Sequence, residues 1–372
     1  MIISTVAELR LYIPNHAMDN LEGIKGSIYN SENDFLMEKL GRELYTELLK
    51  QYADMDEYKI QKFIDDIQTN AEITPWMQLL SIAQRVVAFD CMGRSVNIRA
   101  VSDNGQGINV AEADNYKAAE VKSLDNYRMD ATKEAHSAVN IMLNLLEYWT
   151  KHSQTINSDD SELSESDKDE LSIVNLWKSS RYYYLCSTLL LPSAEILNSN
   201  YLDIYDNREK FIRMIPDLKF IQEEKINPAF GEEFIDMMSN IGVIGTEKMK
   251  TIDATTNSET TLTTDQVQLL TRIVHKLRKV ESVMLEERTE ILKTSKERRM
   301  KAHDEAEMLL KNALDYLILN QNVITGINQD IKNAVALSPW YVNPDNTTVN
   351  TNECKFQNNK RGNALFVTPS LN

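Results

Sequence analysis

The segment Phe35-Leu-Met-Glu-Lys-Leu-Gly-Arg-Glu-Leu-Tyr-Thr-Glu-Leu-Leu49 decides how this chain is read, because its second half carries a worn copy. That copy runs Phe220-Ile-Gln-Glu-Glu-Lys-Ile-Asn-Pro-Ala-Phe-Gly-Glu-Glu-Phe-Ile235. With one inserted residue, apolar anchors align: Phe35 with Phe220, Leu40 with Ile226, Leu44 with Phe230 and Leu48 with Phe234. Leu36, Leu40, Leu44 and Leu48 recur at spacing four, the stripe of an amphipathic helix. Gly41 interrupts that stripe and has no direct equivalent in this alignment, nor has Tyr45. A glycine inside a helical pattern costs about 1 kcal/mol relative to Ala, so a bend or a close helix contact is expected there.

Working outward, the neighbouring elements repeat in order. Thr5-Val-Ala-Glu8 is a capping box that starts a short first helix, which stops at Pro14-Asn15. Residues 20–32 and 33–52 read as a helix pair, and Thr74-Pro75 opens a helix with Trp76, Leu79, Leu80, Ala83, Val86 and Val87 on its inner face. After Gly93 the period shortens. Ser95 to Val101 alternates, Ser102-Asp-Asn-Gly-Gln-Gly107 is turn chemistry, and Ile108 to Val110 resumes, so residues 95–110 are expected to form a projecting β-hairpin. A long helix over 114–150 closes the first module. In the second half, 171–190, the Pro192-Ser-Ala-Glu start, 206–215 and 217–239 echo the first half, and Thr264 to Leu270 aligns with Thr74 to Leu80. Residues 276–301 read as helical throughout, leaving no second hairpin.

The expected architecture is therefore mainly α. Residues 1–152 form one helical module, 153–170 an acidic Ser-rich linker, 171–334 a second related module, and 335–372 an extended C-terminal arm. In that last stretch, Trp340, Tyr341, Phe356 and Phe366 stand isolated in an Asn/Thr-rich background, the pattern either of a flexible tail or of an arm that lies down on a partner.

Composition narrows the function. At 372 residues and 42% apolar content the chain can bury two cores, and 11 Gly with 8 Pro are too few for an all-β fold. A net charge of −16 disfavours sequence-specific nucleic-acid binding, though it suits a surface past which DNA must slide. Cys91, Cys186 and Cys354 are odd in number and widely spaced, as in reduced intracellular thiols. The start Met1-Ile-Ile-Ser-Thr has no signal-peptide pattern, and no run reaches the eighteen apolar residues of a membrane span.

Catalytic signatures are missing from the sequence: no phosphate loop, dinucleotide fingerprint, nucleophile elbow or zinc-spaced Cys pair occurs. His136 and His303 fall at similar places on the two long helices, but no Glu-x-x-His motif accompanies them. His16, His152 and His275 stand at element edges, and Asp130, Glu134 and His136 do not share one helix face. The expectation is no catalytic residue, metal or cofactor. Arg288, Arg298 and Arg299 belong to a basic run over 288–301 interleaved with glutamates, either a solvated face or a strip for a partner.

The capped first helix, the pair carrying Phe35-Leu-x-x-Lys-Leu-Gly-x-x-Leu-Tyr45, the Trp76 helix, the projecting segment and the long closing helix together resemble the head–tail connector (adaptor) proteins of tailed bacteriophages, in versions from phages of Bacteroides-type hosts. The resemblance covers 1–150 and is weaker over 171–334. It implies a structural virion protein in the neck, assembled in the bacterial cytoplasm as a dodecameric ring. Its partners would be further copies of itself, the portal protein and downstream tail or neck proteins, and DNA would pass through the lumen. Carried onto this chain, it implies interface roles for Val96, Ile98, Arg99 and Ile108 of the projection, for Arg288, Arg298 and Arg299, and for Trp340, Tyr341, Phe356 and Phe366 of the arm, so that removal of 338–372 should leave a folded body unable to join its neighbour. Family members are about half this length, and a tandem copy departs from the pattern. The other reading is a non-viral helical scaffold or regulator that binds protein partners; a metal-dependent helical enzyme is a third class.

Overall fold

In the computed structural model the described residues are 1–13, 19–104, 107–110, 120–153, 163–185, 188–244, 250–252, 259–289 and 296–342. The chain is mainly helical and divides into two units, Met1–Tyr184 and Leu185–Asn372.

The first unit begins with an extended stretch whose Ile2 and Ile3 are fully buried. Helix α1 (Val6–Tyr12) follows from the Thr5–Glu8 capping box, both halves of which are made. Helix α2 (Lys25–Asn30) runs into a π turn (Ser31–Leu36), then α3 (Met37–Leu40) and α4 (Arg42–Ala53). Gly41 separates the last two with φ 85°, a conformation in which a side chain is strained. A Cβ there would also lie 2.5 Å from the Ser180 Cβ. The bend and the close contact expected at this glycine are both present.

Helix α5 (Glu57–Thr69) leads to α6 (Pro75–Ala100). The expected strand from Ser95 is helix instead: Ala88, Cys91, Met92, Ser95 and Val96 keep a buried face at spacings of three and four, and the Ser95 hydroxyl donates to the Met92 carbonyl at 3.2 Å. The alternation over 95–101 was a period-two coincidence inside a 3.6-residue pattern. Beyond the helix, β1 (Val101–Asn104) and β2 (Gly107–Val110) pair antiparallel, with Val101 opposite Val110 and Asn104 opposite Gly107.

Helix α7 (Val121–Ser153) packs along α6 and buries Val139, Met142, Leu143, Leu146 and Trp149. Helix α8 (Glu165–Ser179) packs on α4, α6 and α7. This changes the expected boundaries. The acidic stretch 153–170 contributes its second half to α8, whose first turn holds Glu165 and Asp167 behind the Ser164 cap. Buried Ile173, Val174 and Trp177 fix that helix to the first unit, so it does not open a second module at 171. Residues 154–162 lie outside the described residues.

The second unit has a similar succession. Buried Leu190 and Leu191 precede α9 (Ala194–Asn200), capped by Ser193. Helix α10 (Arg208–Ile221) continues through Pro216, where a break was expected, into a π turn (Gln222–Ile226), then α11 (Asn227–Phe230), Gly231 and α12 (Glu232–Ile244). Gly231 has φ 93°, and a Cβ on it would meet the Ser338 Oγ at 2.8 Å and its Cα at 3.1 Å. Gly41 therefore has a counterpart after all. The structural register pairs Leu36 with Ile226, Leu40 with Phe230, Leu44 with Phe234 and Leu48 with Met238, all fully buried. This register differs by four residues from the one expected from sequence, because an apolar stripe at spacing four matches itself equally well one turn away.

Strands β3 (Lys250–Ile252) and β4 (Glu259–Thr261) pair antiparallel before α13 (Thr264–Arg288), whose Thr263–Gln266 capping box is complete. Helix α13 ends at Arg288, with Thr289 extended at ψ 157°, so residues 276–301 are not one helix. Helices α14 (Lys296–Thr325) and α15 (Gln329–Ala336) follow. The arm expected from residue 335 is displaced too. Val335 lies in α15, Ser338 closes on Gly231, and buried Trp340 packs edge-on to Phe234 with ring centroids 5.3 Å apart. The Trp340 indole donates to the Phe230 carbonyl at 2.9 Å, and Gln321 holds both the N–H and the C=O of Val342. An indole of that size is worth too much in the core to be left on a solvated tail.

Candidate functional site

In each unit a buried polar clamp holds the segment that precedes a short capped helix. In the first, the Glu32 carboxylate accepts from the Ile2 N–H at 2.6 Å and from the Tyr45 hydroxyl at 2.9 Å. Gln84 donates to the Ile2 carbonyl at 2.6 Å and to Glu8 at 2.8 Å. Glu8 is fully buried, yet its carboxylate also receives the Ser4 N–H, the Thr5 N–H and the Tyr52 hydroxyl. A buried carboxylate so surrounded has its lone pairs satisfied, as burial demands. The adjacent acids and burial push the Tyr45 and Tyr52 hydroxyls well above the ordinary phenol range, burial being the larger cause, so both stay protonated and act as donors.

The second unit uses other residues for the same backbone groups. Gln222 accepts from the Leu190 N–H at 3.0 Å and donates to the Thr188 carbonyl at 2.7 Å, while the Arg278 Nε donates to the Leu190 carbonyl at 2.6 Å. In both units the glutamate or glutamine sits in the π turn, whose extra residue re-aims a side chain from the helix surface toward the interior. These groups organise the fold.

The described members of the predicted interface set take different places within their own units. Val96 is buried on α6, whereas Ile98 is 61% exposed and the Arg99 guanidinium lies over the Tyr127 ring of α7 at 6.0 Å. Burial removes Val96 from any interface role. Ile108 pairs with Asp103 through its backbone. Arg288 stacks on Phe220 at 4.0 Å and pairs with Asp217 at 2.9 Å, pinning α13 to α10 inside its own unit. Trp340 is a core residue and Tyr341 is half-buried beside it. The Arg298 and Arg299 side chains, and all of Phe356 and Phe366, lie outside the described residues, as do Cys186 and Cys354. Cys91 is buried, which pushes its thiol up to about 12, far from the range of a reactive thiolate.

Sequence reasoning missed two features. Helix α14 exposes Met308, Leu319 and Val323, with Leu319 at 84%. At 100° per residue these three share one stripe of the helix. The second feature is at the meeting of α7 and α8. His152, in the last turn of α7, points its Nδ1 to the Glu170 Oε2 at 2.7 Å. Asp167, one turn before Glu170 on the same face of α8, completes a group whose possible ligand atoms all lie within 4.8 Å of one another. The Tyr148 ring stacks on the imidazole at 6.2 Å with an interplanar angle of 11°, and the Ser164 hydroxyl donates to Asp167 at 2.7 Å. Next to this group, burial and the Glu165 charge raise the Asp169 carboxyl above its usual range. The Asp167-x-x-Glu170 spacing was a usable signal, but His152 lies fifteen residues before Asp167 in sequence, in a helix turn that carries no motif.

No protein-family model, no curated protein and no solved structure matches this chain.

Proposed function

We propose that this chain is a structural component of a phage head–tail connector: two copies of one helical module in tandem, tiled around an axis between portal and tail, with DNA passing through the lumen. The observation that carries the reading is the recurrence of one plan in both units: a clamped entry segment, a π turn, a positive-φ glycine closed on by a serine, and a long helix pair. A repeated unit is suited to packing against copies of itself. The apolar stripe of Met308, Leu319 and Val323 on α14 offers a face for such a neighbour. Heterologous contacts of that kind generate rings when the rotation closes. The net charge of −16 suits a lumen that must not hold DNA. In this proposal the paired segment β1–β2 is the projection toward the adjoining layer, and the gripping arm is residues 343–372. The role is structural and calls on no catalytic group, metal or cofactor.

Size-exclusion chromatography with light scattering, together with electron microscopy of the chain mixed with portal protein, tests the proposal. A closed ring is expected. A chain that stays monomeric with portal present overturns it and favours the scaffold reading. Truncation after Val342 is expected to leave both units folded and to abolish joining to the portal; full assembly by the truncated chain refutes the arm. The cut expected from sequence, at 338, would instead remove Trp340 from the core of the second unit.

A further inference from the structure

We propose that His152, Asp167 and Glu170 form a binding site for a divalent first-row transition-metal ion, clasping the end of α7 to the start of α8. The inference is independent of the ring reading. Three side chains of ligating type converge from two helices, their ligand atoms within 4.8 Å of one another. Metal–ligand bonds of about 2.0–2.2 Å place neighbouring ligand atoms roughly 3–3.5 Å apart, so the ion enters by small side-chain adjustments while the backbone stays in place.

The donor set selects the class of ion. One imidazole nitrogen with two carboxylates suits Zn²⁺, Co²⁺, Ni²⁺ or Mn²⁺ better than Ca²⁺ or Mg²⁺, which prefer oxygen throughout. Binding at Nδ1 replaces the 2.7 Å contact to Glu170 and leaves the ring N–H on Nε2. The ligands are already oriented: Tyr148 stacks on the imidazole, and Ser164 holds one oxygen of Asp167. Oriented ligands of this kind are what an outer shell supplies at established metal sites. The dipole of α8 accounts for an acid at Asp167 in its first turn. It does not account for Glu170, one turn further along, whose carboxylate turns to His152 instead of to solvent and is only 12% exposed. Two converging carboxylates also match the charge of a divalent cation.

The test uses the full chain, stripped of metal by chelator and titrated with Zn²⁺ alone by calorimetry, and with Co²⁺ followed by visible absorption. One saturable equivalent is expected. His152→Ala and Glu170→Gln, each checked for native circular dichroism, should weaken Zn²⁺ by at least about 100-fold, the upper end of what losing even a supporting group costs. His303→Ala, which removes another His–carboxylate pair (His303 with Glu287 at 3.2 Å), should leave the titration unchanged. If His152→Ala fails to fold, Glu170→Gln and Asp167→Asn decide the matter. Absence of a saturable equivalent in the parent chain, or its retention at unchanged affinity in the folded variants, overturns the site.

Discussion

Replacing Glu281 by Met should stabilise the second unit, and more strongly as pH rises. Glu281 lies on α13 with no exposed surface, and neither of its carboxylate oxygens has a hydrogen-bond partner. Burial pushes its carboxyl up to about 8 from the ordinary 4.5, opposed by the Arg278 guanidinium one turn earlier. Below pH 4.5 the group is protonated whether the chain is folded or not, and it adds no pH dependence. Between 4.5 and about 8 the unfolded chain releases the proton and the folded chain keeps it, so folding loses stability as pH rises; above 8 the loss is complete. At 1.36 kcal/mol per pH unit the interval sets a ceiling of roughly 5 kcal/mol, so a few kcal/mol is the expected scale. Met removes the titrating group while keeping similar volume, and Arg278 retains its 2.6 Å bond to the Leu190 carbonyl. Urea unfolding followed by far-UV circular dichroism, at intervals from pH 4.5 to 8.5, measures the variant against the parent, with two transitions allowed for two units. Other acids titrate in both chains and cancel in the difference. The stability gap should widen by a few kcal/mol across that range. Parallel pH curves would show that Glu281 ionises as freely folded as unfolded, and the reasoning would fail.

Gly41→Ala and Gly231→Ala should each destabilise their own unit by about 2–5 kcal/mol, combining positive-φ strain with overpacking against Ser180 or Ser338. Ser180→Gly should partly rescue the first and leave the second unaffected, which urea denaturation of the double variants reads directly. Gln222→Glu should cost about 1–3 kcal/mol, because a carboxylate cannot donate to the Thr188 carbonyl and is left one donor short. Adding Ile235→Tyr at the position matching Tyr45 should recover part of that loss, and a double-mutant cycle showing no coupling would refute the correspondence.

The helical character was legible because capping boxes and apolar stripes are local. Thr5–Glu8 and Thr263–Gln266 both form where the residue types place them. What was not legible depended on contacts distant in sequence. The register of the repeat could not come from the stripe, since Leu40, Leu44 and Leu48 are interchangeable under a one-turn shift. It is set by Gly41 and Gly231, whose partners Ser180 and Ser338 lie more than a hundred residues away. Ser95 to Val101 alternates in sequence, yet the neighbouring helices bury Ser95 and Val96 together, and packing overrides the local pattern. Trp340 stood in a polar, Pro-containing stretch that had every mark of a tail; only Phe230 and Phe234 identify it as core. The His152 group escaped notice for the same reason: its members lie on two helices joined by a segment with no pattern of its own.

The two entry clamps hold the chain ahead of a short helix with different side chains. In the first unit Glu32 is acceptor only, so it needs an outside donor besides the Ile2 N–H, and Tyr45 supplies one. In the second, the Gln222 amide brings its own donor and spends it on the Thr188 carbonyl, and the position matching Tyr45 is the fully buried, wholly apolar Ile235. Glu32 and Gln222 each have both carboxylate or amide atoms paired, whereas exchanging one of them alone leaves an atom unpaired. Each arrangement answers the demand that buried polar groups be paired. In the proposed ring, locking the entry segment, the π turn and the closing serine would serve to stiffen each unit. Stiffness has a consequence for assembly: in a heterologous ring the angle between neighbours decides whether the ring closes or opens into a filament. A block whose helices were free to shift could not hold that angle, so buried polar contacts that contribute little net stability are well placed to define geometry.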